Sequence, residues 1–236
     1  MNLAIIPARG GSKRILKKNI KIFNGKPAIA YSIEAAIKSK IFDKIIVSTD
    51  DKKISKIANK YGAETPFFRP KEISDDYTPS NIVIKHSINY FKKKNILFKN
   101  VCCIYPVAPF ISYKDIRKAY NILIRKKWNF VITASKSPFK IDRSFTKNVN
   151  QSIQMRFPSL YKKRSQDLKN SYYDVGQFYW GKQDSWLKYN NLFKNYSTIL
   201  ELPFLRAIDI DDLDDWKNAE FISKNIFNFN QNLKSK

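Results

Sequence analysis

The run Pro7-Ala8-Arg9-Gly10-Gly11-Ser12-Lys13-Arg14 holds the residue types best suited to chemistry on a phosphate chain. Such a chain needs backbone N–H groups that come close to its oxygens, which paired glycines permit, and fixed cations to offset its charge. Arg9, Lys13 and Arg14 supply the cations, and the composition suits a triphosphate. The run is not a P-loop, because no glycine stands five residues before Gly11 and the serine precedes the lysine. Taken alone, a Gly-Gly pair is equally well a strand-to-helix turn with solvated basic side chains. The single histidine, His86, sits within a helical pattern and is read as a packing or surface residue.

Hydrophobic periodicity supplies the frame. Residues 3–7 read as a buried strand, and 27–38 carry Ile29, Ile33 and Ile37 at helical spacing after Pro27. A second strand, 44–49, precedes a helix marked by Ile54, Ile57, Ala58 and Tyr61, with Gly62 placed to cap it. Ile84, Ile88 and Phe91 mark a helix before the strand 101–105, and Ile116, Tyr120, Leu123 and Ile124 mark another before the strand 130–134. Strands alternating with amphipathic helices predict a Rossmann-like α/β fold, a mostly parallel sheet with helices on both faces.

Periodicity fails from Ser135 to about Val175, a stretch rich in Ser, Lys, Arg and Gln that reads as an excursion from the sheet. It resumes with strands at 177–180 and 198–202 and a final helix on which Trp216, Ala219, Ile222 and Ile226 share a face. The expected organisation is a nucleotide-binding core over 1–134, the excursion over 135–175, completion of the core over 176–229, and a polar tail, 230–236, that frays.

A chain of 236 residues with 43% hydrophobic content can bury a large core on its own. Its longest apolar runs fall far below the roughly 20 residues a bilayer crossing needs, so neither a membrane span nor a signal peptide is expected. Cys102 and Cys103 are strand neighbours whose side chains point to opposite faces, which argues against a disulfide and for a reduced, cytoplasmic protein. The net charge of +24 comes mostly from lysines scattered along the chain, with short runs at 92–94, 126–127 and 162–164. That scatter fits a solvated surface and a field that draws in small polyanions rather than a nucleic-acid or membrane surface.

The segment 5–14, followed by Lys18-Asn19 and Gly25-Lys26-Pro27, resembles the opening of the acylneuraminate cytidylyltransferases, which make CMP-activated nonulosonic acids. The resemblance continues through Val47-Ser48-Thr49-Asp50, Phe68-Arg69-Pro70-Lys71-Glu72, Tyr105-Pro106-Val107-Ala108-Pro109-Phe110 and Ile208-Asp209-Ile210-Asp211. Arg164-Ser165-Gln166-Asp167-Leu168 and the run 174–181 are most similar to the pseudaminic acid branch of that family. Leu16 and Tyr173 depart from it, standing where a proline and a histidine are the family's residues.

The resemblance implies a reaction between CTP and an acidic nine-carbon sugar in a homodimer, without nucleic acid or membrane. Arg9, Gly11, Ser12, Lys13 and Asn19 would hold the triphosphate and ribose, and Arg69, Thr78 and Ser80 would read the cytosine. Tyr105, Arg143, Arg164, Gln166 and Gln177 would meet the sugar, with the excursion as the dimerisation segment. Asp209 and Asp211, two apart in an extended stretch, would share a Mg2+, with Asp211 its chief ligand and a catalytic group beside Arg9 and Lys13. The alternative for this pair is an acidic helix N-terminus, since Asp212, Asp214 and Asp215 follow. Within the enzyme class, CMP-neuraminate, CMP-legionaminate and CMP-Kdo synthesis are the alternatives; outside it stands an inactive, basic nucleic-acid-binding relative.

Overall fold

The computed structural model describes residues 1–125 and 127–234, with side chains as far as Asn225 apart from the omitted Lys126. Ten strands and six helices follow one another along these residues. The first part comprises β1 (Asn2–Pro7), the short β2 (Ile22–Phe23) and β3 (Lys26–Pro27), α1 (Ala28–Ser39), β4 (Lys44–Ser48), α2 (Lys52–Lys60) and α3 (Ser80–Lys92). Then come β5 (Asn100–Ile104), α4 (Tyr113–Arg125), β6 (Phe130–Lys136), β7 (Phe145–Lys147) and β8 (Ile153–Met155). The chain continues with β9 (Tyr172–Lys182), α5 (Gln183–Lys188), β10 (Ser197–Glu201) and α6 (Leu213–Lys234).

The central sheet has six strands in the order β10-β6-β9-β5-β1-β4. β1 lies in its middle, parallel to β4 on one side and to β5 on the other. Each strand there is buried on both faces, which is why it reads as a continuous apolar run. Alternate residues feed two cores: Ala4, Ile6, Val47 and Cys102 pack toward α1, α2 and α4, while Leu3, Ile5, Ile46 and Cys103 pack toward α3 and α5. The two cysteines therefore lie on opposite faces, buried and free, and burial holds both thiol pKa values above the ordinary range.

β9 departs from the parallel pattern, running antiparallel to both neighbours. It enters the sheet from the excursion rather than through a crossover helix, so nothing imposes the parallel direction. The excursion is also shorter than the periodicity indicates. β6 continues to Lys136, and residues 172–174 of β9 pair with it, leaving 137–171 outside the sheet. That segment holds the antiparallel pair β7–β8 and several single turns.

Two side chains placed on helical faces, Ile37 and Ile124, are half exposed, so the buried stripes of α1 and α4 are narrower than the pattern implies. The tail expected to fray is helical to Lys234; residues 235–236, like the side chain of Ile226, lie outside what is described. Among the described residues no helix is long and apolar enough to cross a membrane.

Candidate active site

β1 sends its chain to β4 on one side, and the sheet continues to β5 on the other, so the order of winding reverses at its carboxyl end. Such a switch point opens a crevice between the loops. A cavity of about 290 Å³ lies there, and Arg9, Ser12, Lys13, Arg14, Lys18 and Asn19 line it from the loop after β1. Arg69, Asp75, Asp76, Thr78, Ser80, Tyr105 and Asp211 complete the wall.

The loop is pinned at one glycine and open at the other. The Gly10 N–H donates to Asp50 Oδ1 at 2.8 Å, and a Cβ at this position would stand 2.9 Å from that of Asp51. Asp51 in turn caps α2, its Oδ1 accepting from the N–H groups of Lys53 and Ile54 at 2.6 and 3.0 Å. A Cβ at Gly11 would meet nothing within 4 Å, so its surroundings leave room for a ligand's oxygens. Buried Asn19 donates from Nδ2 to the Arg9 carbonyl at 2.8 Å and fixes the first residue of the turn.

Arg69 is almost wholly buried and donates to Ser48, through Nε to the hydroxyl at 3.2 Å and through Nη2 to the carbonyl. Burial lowers its pKa to about 10, with Asp50 opposing and Arg9 adding to the shift. A free surface arginine is thereby excluded, and the group stays charged at neutral pH. Ser80 is the first residue of α3 and makes no side-chain cap; its hydroxyl instead lies 3.3 Å from that of Tyr105. The Thr78 N–H donates to Asp75 Oδ1 at 2.6 Å. Burial pushes the Tyr105 phenol up to about 12, and its ring stands edge-to-face on Tyr179, whose hydroxyl donates to Asp174.

At the opposite wall, Asp211 accepts from Arg14 Nη2 at 2.8 Å and lies 3.7 Å from Lys18 Nζ. Asp209 is not part of the cavity lining, and although neighbouring segments crowd its carboxyl the residue stays solvent-exposed. A Cβ at Gly176, whose φ is +61°, would approach its Oδ2 to 3.6 Å. Burial raises the Asp209 pKa, the negative Asp211 raises it further, and Lys18 works against both. Two carboxylates whose mutual repulsion is only partly offset suit a hard dication, which takes one or two carboxylates and completes its shell with phosphate and water. Among the described residues there is no cluster of three or more metal-ligating side chains.

The helix-terminus alternative is satisfied by other residues. Asp212 Oδ1 accepts from the N–H groups of Asp214 and Asp215, each at 2.9 Å. Asp215 Oδ2 reaches back to the N–H groups of Asp211 and Asp212 at 2.9 and 3.1 Å. This reciprocal cap leaves the Asp211 side chain free to face the cavity. Sequence reasoning assigned Asp215 to the helix alone and missed that it holds the backbone of Asp211. It also passed over Asp76 and gave Lys18 no role; an adjacent acidic pair just after Arg69-Pro70, in a chain poor in acids, was the available signal.

Four residues predicted for the site lie elsewhere within the chain. Arg143 donates to the Lys163 carbonyl at 2.5 Å, Arg164 pairs with Asp167 at 2.8 Å, and Gln166 is exposed, all in the excursion. Gln177 is buried in β9, its Nε2 donating to the Arg206 carbonyl at 2.5 Å while Oε1 has no partner. His86 packs edge-on against Phe67 at 5.0 Å, and burial, then Arg69 and Lys93, depress its pKa. It is a packing residue.

Fold and cavity together define an enzyme of the nucleotidyltransferase type, with a glycine-containing cationic loop at the switch point of an α/β sheet. Residues 3–212 match the Cytidylyltransferase family model, and the chain belongs to that family. It is 43% identical, over 94% of its length and 96% of the relative's, to a pseudaminic acid cytidylyltransferase of Campylobacter jejuni. It is 30% identical to a CMP-N,N'-diacetyllegionaminic acid synthase of Legionella pneumophila, over 92% of this chain and 94% of that one. In fold it is similar to a CMP:2-keto-3-deoxy-manno-octonic acid synthetase complexed with CTP. The TM-score is 0.69 and the identity 15%, over 95% of this chain and 98% of that one.

Proposed function

We propose that this cytidylyltransferase joins CMP from CTP to pseudaminic acid and releases pyrophosphate. The observation that carries the reading is the 43% identity to the Campylobacter enzyme, sustained across nearly the full length of both chains. The anomeric hydroxyl of the sugar attacks the α-phosphorus of CTP, a new oxygen–phosphorus bond forms, and the bond to the bridging oxygen of pyrophosphate breaks. Arg9, Ser12, Lys13 and the Gly11 backbone hold the phosphates, with Asn19 fixing the loop, and their fixed charge stabilises the charge that grows on the leaving group. Arg69, Thr78 and Ser80 face the base, and Tyr105 the sugar.

Asp209 and Asp211 would hold Mg2+, which when bound neutralises phosphate charge and lowers the pKa of a coordinated hydroxyl. The sugar carboxylate calls for arginine, whose planar fork grips it at two points. Arg143, Arg164 and Gln166 lie in the excursion, and in a homodimer these residues serve the partner's cavity, while Gln177 stays held in β9 on the Arg206 carbonyl. A cytoplasmic location suits the free, buried cysteines.

The test is a panel of pseudaminic, legionaminic, neuraminic and Kdo acids, each offered with each of the four nucleoside triphosphates, with pyrophosphate release measured. Pseudaminic acid with CTP is expected to be turned over best. A preference for another acid moves the enzyme to a different branch of the family, and no release with any pair rejects the reading.

A further inference from the structure

Two of the loop cations that line the cavity, Arg9 and Lys13, share a partner. Asp76 bridges them, with Oδ1 2.7 Å from Arg9 Nη2 and Oδ2 2.6 Å from Lys13 Nζ. Arg9 Nη1 also donates to the Asp75 carbonyl. A carboxylate set on two cations in this way offers them the same acceptor chemistry as two oxygens of a phosphate chain. A ligand phosphate that took these contacts would stand beside Asp76, anion against anion, at a partly exposed site.

The backbone allows the carboxylate to leave. Asp76 lies in bends between the single turn Lys71–Ile73 and the start of α3, outside any strand or longer helix. The same few residues lead into Thr78 and Ser80 on the cavity wall.

We propose that Asp76 is a placeholder anion that occupies the phosphate positions on Arg9 and Lys13 until CTP displaces it, and that it returns as pyrophosphate departs. This role deepens the proposed function and rests on its assignment of Arg9 and Lys13 to phosphate. Asp76 sets the affinity for phosphate groups and the rate of product release, without touching the reacting atoms. Its presence lowers binding of any ligand that needs both cations, and it keeps pyrophosphate from being held as tightly as two uncompensated cations would hold it.

The measurement is calorimetric titration of pyrophosphate, and separately of CTP, into wild-type protein, Asp76→Asn and Asp76→Ala at one ionic strength, with melting curves for each. Both variants are expected to bind pyrophosphate about three- to tenfold more tightly, since two partly exposed ion pairs no longer have to be broken. The KM for CTP should fall, and kcat should fall with it as pyrophosphate lingers. Unchanged or weaker binding by both variants, with melting temperatures unaltered, overturns the proposal and makes Asp76 a group that merely holds Arg9 and Lys13 in place. If wild-type protein binds neither pyrophosphate nor CTP, the failure lies in the assignment of the loop to phosphate, and the placeholder role falls with it.

Discussion

Asp209 and Asp211 are two residues apart, but their surroundings differ enough to be told apart by experiment. The folded pKa of Asp209 is raised above the ordinary carboxylate range by partial desolvation and then by the negative Asp211, while the residue stays solvent-exposed. A carboxyl with a raised folded pKa binds its proton more readily in the folded state, so it costs stability increasingly as pH rises through and above the carboxylate range. Asp209→Asn should therefore raise the melting temperature of ligand-free protein at pH 7 slightly, with the gain shrinking toward pH 3. Turnover should drop at the same time. Asp211→Asn should also lower turnover steeply, partly recovered by higher Mg2+ or by Mn2+, whereas Asp214→Asn, which removes a solvated carboxylate paired with Lys217 at 3.3 Å, should leave turnover intact. Normal metal dependence in Asp211→Asn would place the metal on other carboxylates. The identities of these residues were legible in the sequence, because acids are scarce and the spacing of two is plain. Their difference in surroundings was not, since it depends on Gly176 and Lys18, which come from distant segments.

The strand-to-helix elements around β1 show how the loop is held. α2 begins at Asp51, whose side chain caps the helix and whose Cβ is the near neighbour of Gly10. The two glycines of the loop should then respond differently to the same added methyl group. Gly10→Ala should lower both thermal stability and turnover, because the new Cβ forces Asp51 away from the helix N-terminus. Losing such a cap costs about 1 kcal/mol, or roughly 2–4 °C in a chain of this size. Gly11→Ala should melt like wild type, with the KM for CTP increased. Differential scanning fluorimetry with steady-state kinetics separates the two, and equal melting temperatures for both variants would remove Asp51 from its supporting role. Strands and helices of the core were readable because burial on both faces makes continuous apolar runs and helical stripes keep their period. The direction of β9 was not readable: its apolar run looks the same either way, and its partners are set by a long excursion with no periodic signal.

The chain as a whole carries a net charge of +24, and among its exposed apolar groups several fall in the excursion. Phe139, Phe145, Val149, Ile153 and Tyr161 are all more exposed than buried there, with Val149 fully open to solvent. Phe145, Val149 and Ile153 belong to the β7–β8 hairpin, and apolar groups left in water there suit a surface made for contact with another chain. The same segment holds Arg143 and Arg164, predicted for the sugar yet away from the cavity of their own chain, so one arrangement accounts for both observations. Two copies would exchange excursions, each hairpin burying its apolar side and bringing its arginines toward the partner's cavity. Light scattering at micromolar concentration should accordingly report two chains. The double variant Phe145→Asp and Ile153→Asp, which puts charge on both strands of the hairpin, should report one chain and keep its core, since β7 and β8 pair outside the central sheet. It should lose synthesis of the CMP-sugar while still binding CTP, because the nucleotide cavity is built within a single chain. A wild-type protein that scatters as one chain, or a monomeric double variant with full turnover, would end the case for a shared site.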